Sequence, residues 1–434
     1  MKNYRFLVPI ALIAIMAISW YMLLSDSISS QSQYDGYISE ARKYAAESMT
    51  KYAIENYNNA KAINDNIDLD IEVAEYYKSQ EDLNEYMHEC ESIFKKYSKD
   101  PRAFDLIISA YYEEKDYKSC YEILSTANKR NISTNTISEI RDSIRYEYHV
   151  DYNSYPEVRA FSDGVCGVSN GETWGYVDAY GSQIISCKYA NCGDFFNGIA
   201  PVTTTGDEAF FIDKEGYKST PTAEGIIKLG MTDAIIPAKK ANGKYVFVDE
   251  EYHILNETEY DYASNYNDGV AAVQVGEIWK IIDTKGNQRG EDFEDICLDD
   301  MEIASRNERL FVKKDDVYMM VDTNGNQIGS LTFEGAKVFE SELPSVVKID
   351  NMWSFITTGG SLLSEEKYSD ARPFKNDLAA VCINDKWGFV AKDESIAIEP
   401  EFQDAKSFND KGSCFVNMGN KWQLLQLYSM TEEN

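Results

Sequence analysis

The chain has 434 residues, with 42 basic against 73 acidic side chains and a formal net charge of −31 at neutral pH. A surface that binds the phosphate backbone of nucleic acid needs the opposite sign, so the composition argues against a nucleic-acid partner. The acidic residues are spread along the chain without a long block, which favours solubility as their general role.

The first distinct segment is an uncharged run from Phe6 to Leu24, preceded by Lys2 and Arg5. It is long enough to cross a bilayer. The next basic residue is Arg42, so the positive charge lies on the N-terminal flank and predicts a cytoplasmic N-terminus with a translocated body. We therefore expect residues 1–30 to be a signal anchor, placing the protein in the cell membrane with one span and an extracytoplasmic body.

A cleaved secretory signal is the alternative to an anchor. Its apolar region would end in small residues, whereas Trp20 to Leu24 are large, so the sequence favours an uncleaved anchor. No Cys follows the run, which argues against a lipoprotein. The opposite topology, with the body facing the cytoplasm, stays open.

Residues 31–150 change character, because Gly nearly disappears and apolar residues recur at helical spacing. Asp100 and Pro101 predict an N-cap followed by Pro in the first helical turn. The helix that follows has four residues on one face, and the next helix has four more: Phe104, Ile107, Ile108 and Tyr111, then Tyr117, Cys120, Leu124 and Ala127.

This pair resembles a tetratricopeptide helix pair, which implies a surface that docks peptides or partner helices. Two further hairpins are expected near 41–63 and 71–97, and a closing helix near 136–148. A plain helical bundle is the alternative for this domain.

From residue 151 to 434 the sequence repeats. The recurring position opens a short apolar run and is aromatic in all units but one: Trp174, Ala209, Tyr245, Trp279, Tyr318, Trp353, Trp387 and Trp422, at spacings of 35, 36, 34, 39, 35, 34 and 35. A constant period of this size predicts a tandem array of one small supersecondary unit. The fold class is therefore a multidomain α + β chain whose second part is all-β.

The unit that begins at Trp174 shows how the repeat period arises. Trp174 to Asp178 is a strand, Gly181 closes a turn, and a second strand follows. The same Asp-to-Gly spacing recurs at Asp213/Gly216, Asp283/Gly286 and Asp322/Gly325, which is typical of tight hairpins. A connector and a third strand complete a three-stranded meander of about 35 residues.

The segments Trp174-Gly175-Tyr176-Val177-Asp178 and Lys386-Trp387-Gly388-Phe389-Val390 resemble the bacterial WG-containing repeat family, and the resemblance extends over about residues 155–427. Elsewhere the second position of the pair is not Gly. The family implies a repetitive β scaffold without known catalytic residues, so no catalytic, cofactor-binding or metal-binding residue is assigned.

Alternation within Trp174 to Val177 makes both faces of the strand apolar, so we expect the aromatic series to form the core between units, with a backbone close to the Gly. A stripe that stacks sugars or cations is the alternative. The array begins and ends with partial units, at 155–168 and 422–427. A propeller-like toroid of seven to eight units is favoured slightly over an open stack.

Residues with catalytic or metal-binding chemistry are few. The three histidines, His88, His149 and His253, lie beside no Ser or Cys nucleophile. Gly167 to Gly171 matches the Gly-x-Ser-x-Gly pattern of a nucleophile elbow, but an elbow requires a strand that leads into a helix, and this Ser lies in a turn between two strands. The pairs Asp299/Asp300 and Asp315/Asp316 are interpreted as solvated loop charge. The segment Asp322 to Asn326 superficially resembles a calcium loop, but it has no Gly at the position where such a loop needs one and no distal Glu. Cys187 and Cys192 form the one close pair, and whether they bond stays open.

We therefore predict a noncatalytic binding or scaffold protein with a protein or peptide partner, an envelope glycan also being possible. The alternative class is a glycan-processing enzyme of the cell envelope. Acidic and aromatic residues that converge in one pocket would favour the enzyme.

Overall fold

A computed structural model describes residues 4–231 and 234–431, and most side chains before residue 27 lie outside the description. The chain forms two compact units, residues 1–145 and 146–434. The sequence-based boundary was placed at 150/151.

The first unit is helical. In chain order its helices are α1 (Tyr4–Ala46), α2 (Thr50–Ile63), α3 (Ile67–Ser79), α4 (Leu83–Lys96), α5 (Pro101–Glu113), α6 (Tyr117–Lys129) and α7 (Asn135–Ser143). The predicted span Phe6–Leu24 falls in the first part of α1, where most side chains lie outside the description. Among the residues that were described, none of the helices has an apolar stretch sufficient for a membrane crossing.

The helix starts follow from local chemistry. Asp100 accepts a hydrogen bond from the backbone N–H of Arg102 at 3.0 Å and Pro101 occupies the first turn, as predicted. Phe104, Ile107 and Ile108 are buried on one face of α5. The predicted closing helix was too long: α7 ends at Ser143, and residues 148–155 form a strand.

The second unit is a series of eight small antiparallel sheets among its described residues, preceded by β1 (Tyr148–Tyr155) and followed by α8 (Tyr428–Thr431). Numbered in chain order, they are sheet 1 (β2 Glu157–Ser162, β3 Val165–Ser169, β4 Trp174–Asp178, β5 Gln183–Tyr189), sheet 2 (β6 Asn191–Cys192, β7 Ile199–Thr203, β8 Ala209–Asp213), sheet 3 (β9 Ile226–Leu229, β10 Ile236–Lys240, β11 Tyr245–Val248), sheet 4 (β12 Tyr262–Ala263, β13 Val270–Val275, β14 Ile278–Asp283, β15 Gln288–Phe293), sheet 5 (β16 Asp295–Ile296, β17 Arg309–Lys314, β18 Val317–Asp322), sheet 6 (β19 Gly335–Ala336, β20 Ser345–Ile349, β21 Met352–Ile356), sheet 7 (β22 Asp370–Ala371, β23 Leu378–Ile383, β24 Lys386–Ala391, β25 Ile396–Phe402) and sheet 8 (β26 Asp404–Ala405, β27 Ser413–Met418, β28 Lys421–Leu427).

The hairpin turns form as their residues predict. The Asp178 carboxylate accepts from the backbone N–H groups of Tyr180 and Ser182, each at 2.9 Å, and Gly181 has a φ of 81°. Asp283 and Asp322 accept in the same way. Because the Asp fixes the turn and Gly takes the positive φ at little cost, the pair sets the register of each hairpin.

Apolar clusters fill the space between successive sheets. Trp174 and Tyr176 pack with Phe195 of the next sheet, whereas Val177, on the other face of the same strand, packs with Phe415 of sheet 8. Each of the later Trp anchors likewise packs against one such cluster. The expectation that the aromatic series forms the core between units is confirmed.

The Gly of the Trp-Gly pair lies against backbone. A Cβ on Gly175 would come within 2.4 Å of the Ile185 carbonyl oxygen, and one on Gly388 within 2.5 Å of the Ile398 carbonyl oxygen. Both glycines lie opposite a register shift between the third and fourth strands of their sheets. Their lack of a side chain is what allows this approach.

The ends of the array meet. Strand β1 pairs antiparallel with β28, so the N-terminal strand completes sheet 8. Phe161 of sheet 1 stacks on Phe415 of sheet 8, with ring centroids 5.6 Å apart. The array therefore closes on itself, and its described strands form separate small sheets with no closed barrel. The completing strand is 148–155, whereas the sequence placed the first partial unit at 155–168; that segment instead belongs to sheet 1.

Candidate functional site

A cavity of about 530 Å³ is lined by residues from all eight sheets. Since each sheet contributes the segment that follows its first strand, the cavity lies where the sheets converge, on the axis of the ring. Pockets of this size suit small-molecule ligands. This central cavity is the candidate functional site.

One position of the repeat recurs on the cavity wall in seven of the eight sheets, as far as the described residues show. It directly follows a buried residue at the end of the connector and begins the turn into the next strand. We call the lining residues at this position the inner ring: Ser162, Phe196, Asn267, Arg306, Glu340, Lys375 and Asn409.

Sheet 5 differs from the other sheets inside the ring. Twelve residues (297–308) connect β16 to β17, whereas six (264–269) connect β12 to β13. We call residues 297–308 the channel loop. It accounts for the longest anchor spacing, between Trp279 and Tyr318.

The channel loop reaches several sheets. The Asp300 carboxylate lies 2.7 Å from the Lys406 ammonium of sheet 8, and Glu302 lies 2.5 Å from Lys228 of sheet 3. The side chain of Asn265 in sheet 4 donates to the Met301 carbonyl at 2.7 Å. Met301 also lines a second, smaller pocket of about 60 Å³ between sheets 1 to 4. The loop thus crosses the interior of the ring.

The interpretation of Asp299 and Asp300 as solvated loop charge is wrong for Asp299, whereas the Asp300 side chain is 55 % exposed. The Asp299 side chain is 9 % exposed, lies 2.6 Å from the Arg306 guanidinium, and accepts from the backbone N–H groups of Met301 and Ile303. Burial raises its pKa, and Arg306 offsets only part of that shift. The tertiary structure encloses this carboxylate because the channel loop folds into the ring. Of the other predicted pair, Asp316 is exposed and lies 3.2 Å from Lys313.

Two other carboxylates in the cavity have opposite pKa shifts. Burial raises the pKa of Glu340, which accepts from the Ser407 hydroxyl at 2.8 Å and lies 4.0 Å from Lys375. Burial also acts on Asp300, but the charge and hydrogen bond of Lys406 outweigh it and lower its pKa. The cavity therefore holds carboxyl groups with different proton affinities.

Three cations of the wall repeat from sheet to sheet. Each lies over the indole of its own sheet and pairs with a carboxylate: Lys337 over Trp353 with Asp370, Arg372 over Trp387 with Asp404, and Lys406 over Trp422 with Asp300. In the first two pairs the carboxylate belongs to the next sheet. At the seam between sheets 8 and 1 the channel loop supplies it instead.

The other residues considered in the sequence lie away from this cavity. Ser169 accepts from the Gly171 backbone N–H, as expected for a turn, and His149 contacts Gln426. Cys187 and Cys192 are both free thiols. His253 groups with Asp249 and Glu251 on an exposed hairpin, where Asp249 already accepts from two backbone N–H groups of that turn.

None of the inner-ring residues is recognisable as a site residue from the sequence. They are chemically unlike one another, so no motif marks them, and they converge only when the ring closes. The irregular spacing of 39 residues between Trp279 and Tyr318 was the one signal that pointed to the channel loop.

Comparison with known proteins identifies the repeat. The model of the family described as WG containing repeat matches residues 174–206, 247–279, 353–387 and 387–422. No curated protein matches the chain.

Two of the solved structures that are similar to this chain share 10 % sequence identity with it. One is BamB from Moraxella catarrhalis, with a TM-score of 0.37 over 63 % of this chain and 96 % of that one. The other is a chain of a mitotic checkpoint complex, with a TM-score of 0.35 over 64 % of this chain and 92 % of that one. Similarities this distant do not indicate a function.

Proposed function

Because the β unit carries WG containing repeats, we propose that this chain is a noncatalytic binding scaffold whose ring holds a small polar ligand in its central cavity. The observation that carries the proposal is one cavity of about 530 Å³ to which every sheet contributes. Binding there would engage the whole ring, whereas a site on one sheet would not.

The partners of the charged groups favour binding over chemistry. Asp299, Asp300 and Glu340 each face a cation, so none is a free nucleophile. Burial raises the pKa of the Cys166 and Cys414 thiols well above the ordinary value, which leaves them protonated and unreactive. Charged groups that are held by such partners can orient a ligand without reacting with it.

The experiment is a thermal-shift and calorimetric screen of the full chain against saccharides, acidic saccharides and short peptides. Binding that raises the melting temperature is expected to be lost in Lys375→Ala and kept in Lys392→Ala, whose ion pair with Asp377 lies outside the cavity. Mass spectrometry should recover the ligand unchanged. Equal binding by both variants would place the ligand elsewhere and contradict the proposal.

A glycan-processing enzyme is the second candidate, and a specific observation favours it. Acidic and aromatic residues do converge in the cavity, and the pKa of Glu340 is raised while that of Asp300 is lowered. A pair shifted in opposite directions is what acid and base roles require. Release of a cleaved product by the full chain, abolished in Glu340→Gln, would replace the noncatalytic proposal with this one.

For the helical unit we propose a docking role for a protein or peptide partner, based on its tetratricopeptide-like pair α5 and α6. Photo-crosslinkers at Tyr52 and Tyr112, both exposed, would test it in the full chain. Crosslinks to one partner from these positions, and none from Tyr180 on the β unit, are expected. The reverse distribution would assign the partner to the β unit.

The proposed location is the outer face of the cell membrane, and it rests on the uncharged run Phe6–Leu24 and its basic flank. Protease added to intact cells should degrade the body of the chain. Protection until the cells are lysed would support the opposite, cytoplasm-facing arrangement.

A further inference from the structure

We infer that the central cavity takes a neutral saccharide, held at the seam between sheets 8 and 1 by the side-chain amide of Asn409. This assignment rests on the proposed function, because it names the ligand class of the same cavity. Its basis is a buried side-chain polar atom that has no hydrogen-bond partner among the described residues.

Asn409 is 3 % exposed and lines the cavity. Its Oδ1 accepts from the backbone N–H groups of Lys411 and Ser413, at 2.8 and 2.9 Å. These two donors fix the orientation of the amide, since only its oxygen can accept. Its Nδ2 is one of two buried side-chain polar atoms that have no hydrogen-bond partner within the described chain, and the other, His149 Nδ1, does not line the cavity.

Equivalent inner-ring residues make the hydrogen bond that Asn409 Nδ2 lacks. Ser162 donates to the Phe195 carbonyl of the next sheet at 2.6 Å, and Asn267 donates to the Ser305 carbonyl of the next sheet at 2.8 Å. The corresponding acceptor for Asn409 is the carbonyl of Phe161, across the seam, and no such bond forms. A buried donor without an acceptor costs about 1–3 kcal/mol. A ligand oxygen would remove that cost.

The charges of the wall favour a neutral ligand. Five cations and five carboxylates line the cavity, and the channel-loop pairs Asp299–Arg306 and Asp300–Lys406 are short. A charged ligand would have to break such a pair or bring a charge that nothing neutralises. Hydroxyl groups avoid both costs, because they accept from Asn409 and donate to a carboxylate.

The inner ring supplies complementary contacts for a sugar. Glu340 provides acceptor oxygens, and Lys375, whose carboxylate partner lies 4.0 Å away, provides a donor. Phe196 is half-buried and offers an apolar ring for the C–H face of a sugar. A site with an aromatic surface and a few polar groups around it fits a hydroxylated ring.

The test uses Asn409→Asp in the full chain. This substitution keeps an oxygen for Lys411 and Ser413 but replaces the unpartnered donor with an acceptor. Asn376→Asp is the control for added charge, because Asn376 also lines the cavity and gains the same charge. It is more exposed than Asn409, and its amide already donates to the Phe408 carbonyl at 3.4 Å. The probes are neutral glucose-, galactose- and N-acetylglucosamine-based di- and trisaccharides, their uronic-acid counterparts, and tripeptides.

We expect a neutral saccharide to bind the parent chain and Asn376→Asp to weaken its affinity less than threefold. Asn409→Asp also buries a carboxylate and should lower the melting temperature. Its affinity is therefore measured where circular dichroism shows the variant folded, and it should fall at least tenfold. Equal losses in the two variants would overturn the role of Asn409. Binding of only uronic acids or peptides, lost in Lys375→Ala, would overturn the ligand class and leave the proposed function standing. Absence of any probe whose binding responds to Lys375→Ala would overturn both.

Discussion

Asp300 and Lys406 form an ion pair at 2.7 Å although 106 residues separate them in the sequence. Asp300 belongs to the channel loop of sheet 5, and Lys406 to the segment that follows the first strand of sheet 8. The contact thus joins sheets that are not neighbours in the ring. It can form only because the ring is closed and the channel loop lies inside it.

Replacing Lys406 with Met should loosen the channel loop. Asp300 is 55 % exposed, so the pair is partly screened and its loss should cost no more than about 1 kcal/mol of stability. The clearer effect is local: hydrogen exchange of the amides in 298–303 should accelerate, because one of the fixed contacts of the loop is lost.

Lys392→Met is the control for that experiment, since its 2.5 Å pair with Asp377 lies outside the cavity. It should leave exchange in 298–303 unchanged. Equal exchange in the parent chain and Lys406→Met would mean that the ion pair does not hold the loop.

Because the ring is closed, the interface between sheets 8 and 1 should contribute as much to stability as the interface between any other two neighbouring sheets. Phe415 stacks on Phe161 with centroids 5.6 Å apart, and Phe311 stacks on Phe339 at the same distance, and both Phe415 and Phe311 are fully buried. Replacing either by Ala should cost about 3–5 kcal/mol, measured by urea unfolding. In an open stack the Phe415→Ala variant would lose far less than Phe311→Ala, and that result would contradict closure.

The Trp-Gly glycine should not tolerate a side chain. In Gly388→Ala the new Cβ would lie 2.5 Å from the Ile398 carbonyl oxygen and 2.7 Å from the Pro400 nitrogen, so the strands must move apart. We expect a loss of about 1–3 kcal/mol or more in the free energy of unfolding. Gly359→Ala is the control, because its Cβ would meet only the Thr357 hydroxyl at 3.7 Å. Equal stability of the two variants would refute the steric explanation.

Stability should depend on pH through Glu340. Burial raises the pKa of this carboxyl above its ordinary 4.5, so the folded state binds the proton more tightly than the unfolded state does. Its favourable contribution is fully present below pH 4.5 and is lost as the pH rises through the folded pKa. Glu340→Gln should therefore become more stable relative to the parent chain between pH 4 and 8, as followed by urea unfolding.

Asp283 gives the contrasting case. Hydrogen bonds from Asn287 are the largest cause that lowers its pKa, to about 2, so its contribution is present above pH 3.8 and is lost as the pH falls through about 2. The stability difference between Asp283→Asn and the parent chain should stay constant from pH 4 to 8. A Glu340→Gln difference equally flat over that range would argue against a raised pKa in the folded state.

The sequence by itself determined the local structure of this protein. The Asp178 and Gly181 turn, the Asp100 cap and the packing of Trp174 depend on neighbours within a few residues or on the repeat period, so alternation and spacing were sufficient to predict them. The WG containing repeat was recognisable for the same reason.

Only the tertiary structure decided the candidate site. Glu340, Lys375 and Asn409 share a position in the repeat but no chemistry, and a lining residue acquires its role from sheets that lie far away in the sequence. Asp299 was interpreted as solvated because its loop is polar, yet folding of that loop into the ring encloses it beside Arg306. Closure of the ring, set by the pairing of β1 with β28, is a long-range event, and the burial, pairing and proton affinity of these groups all follow from it.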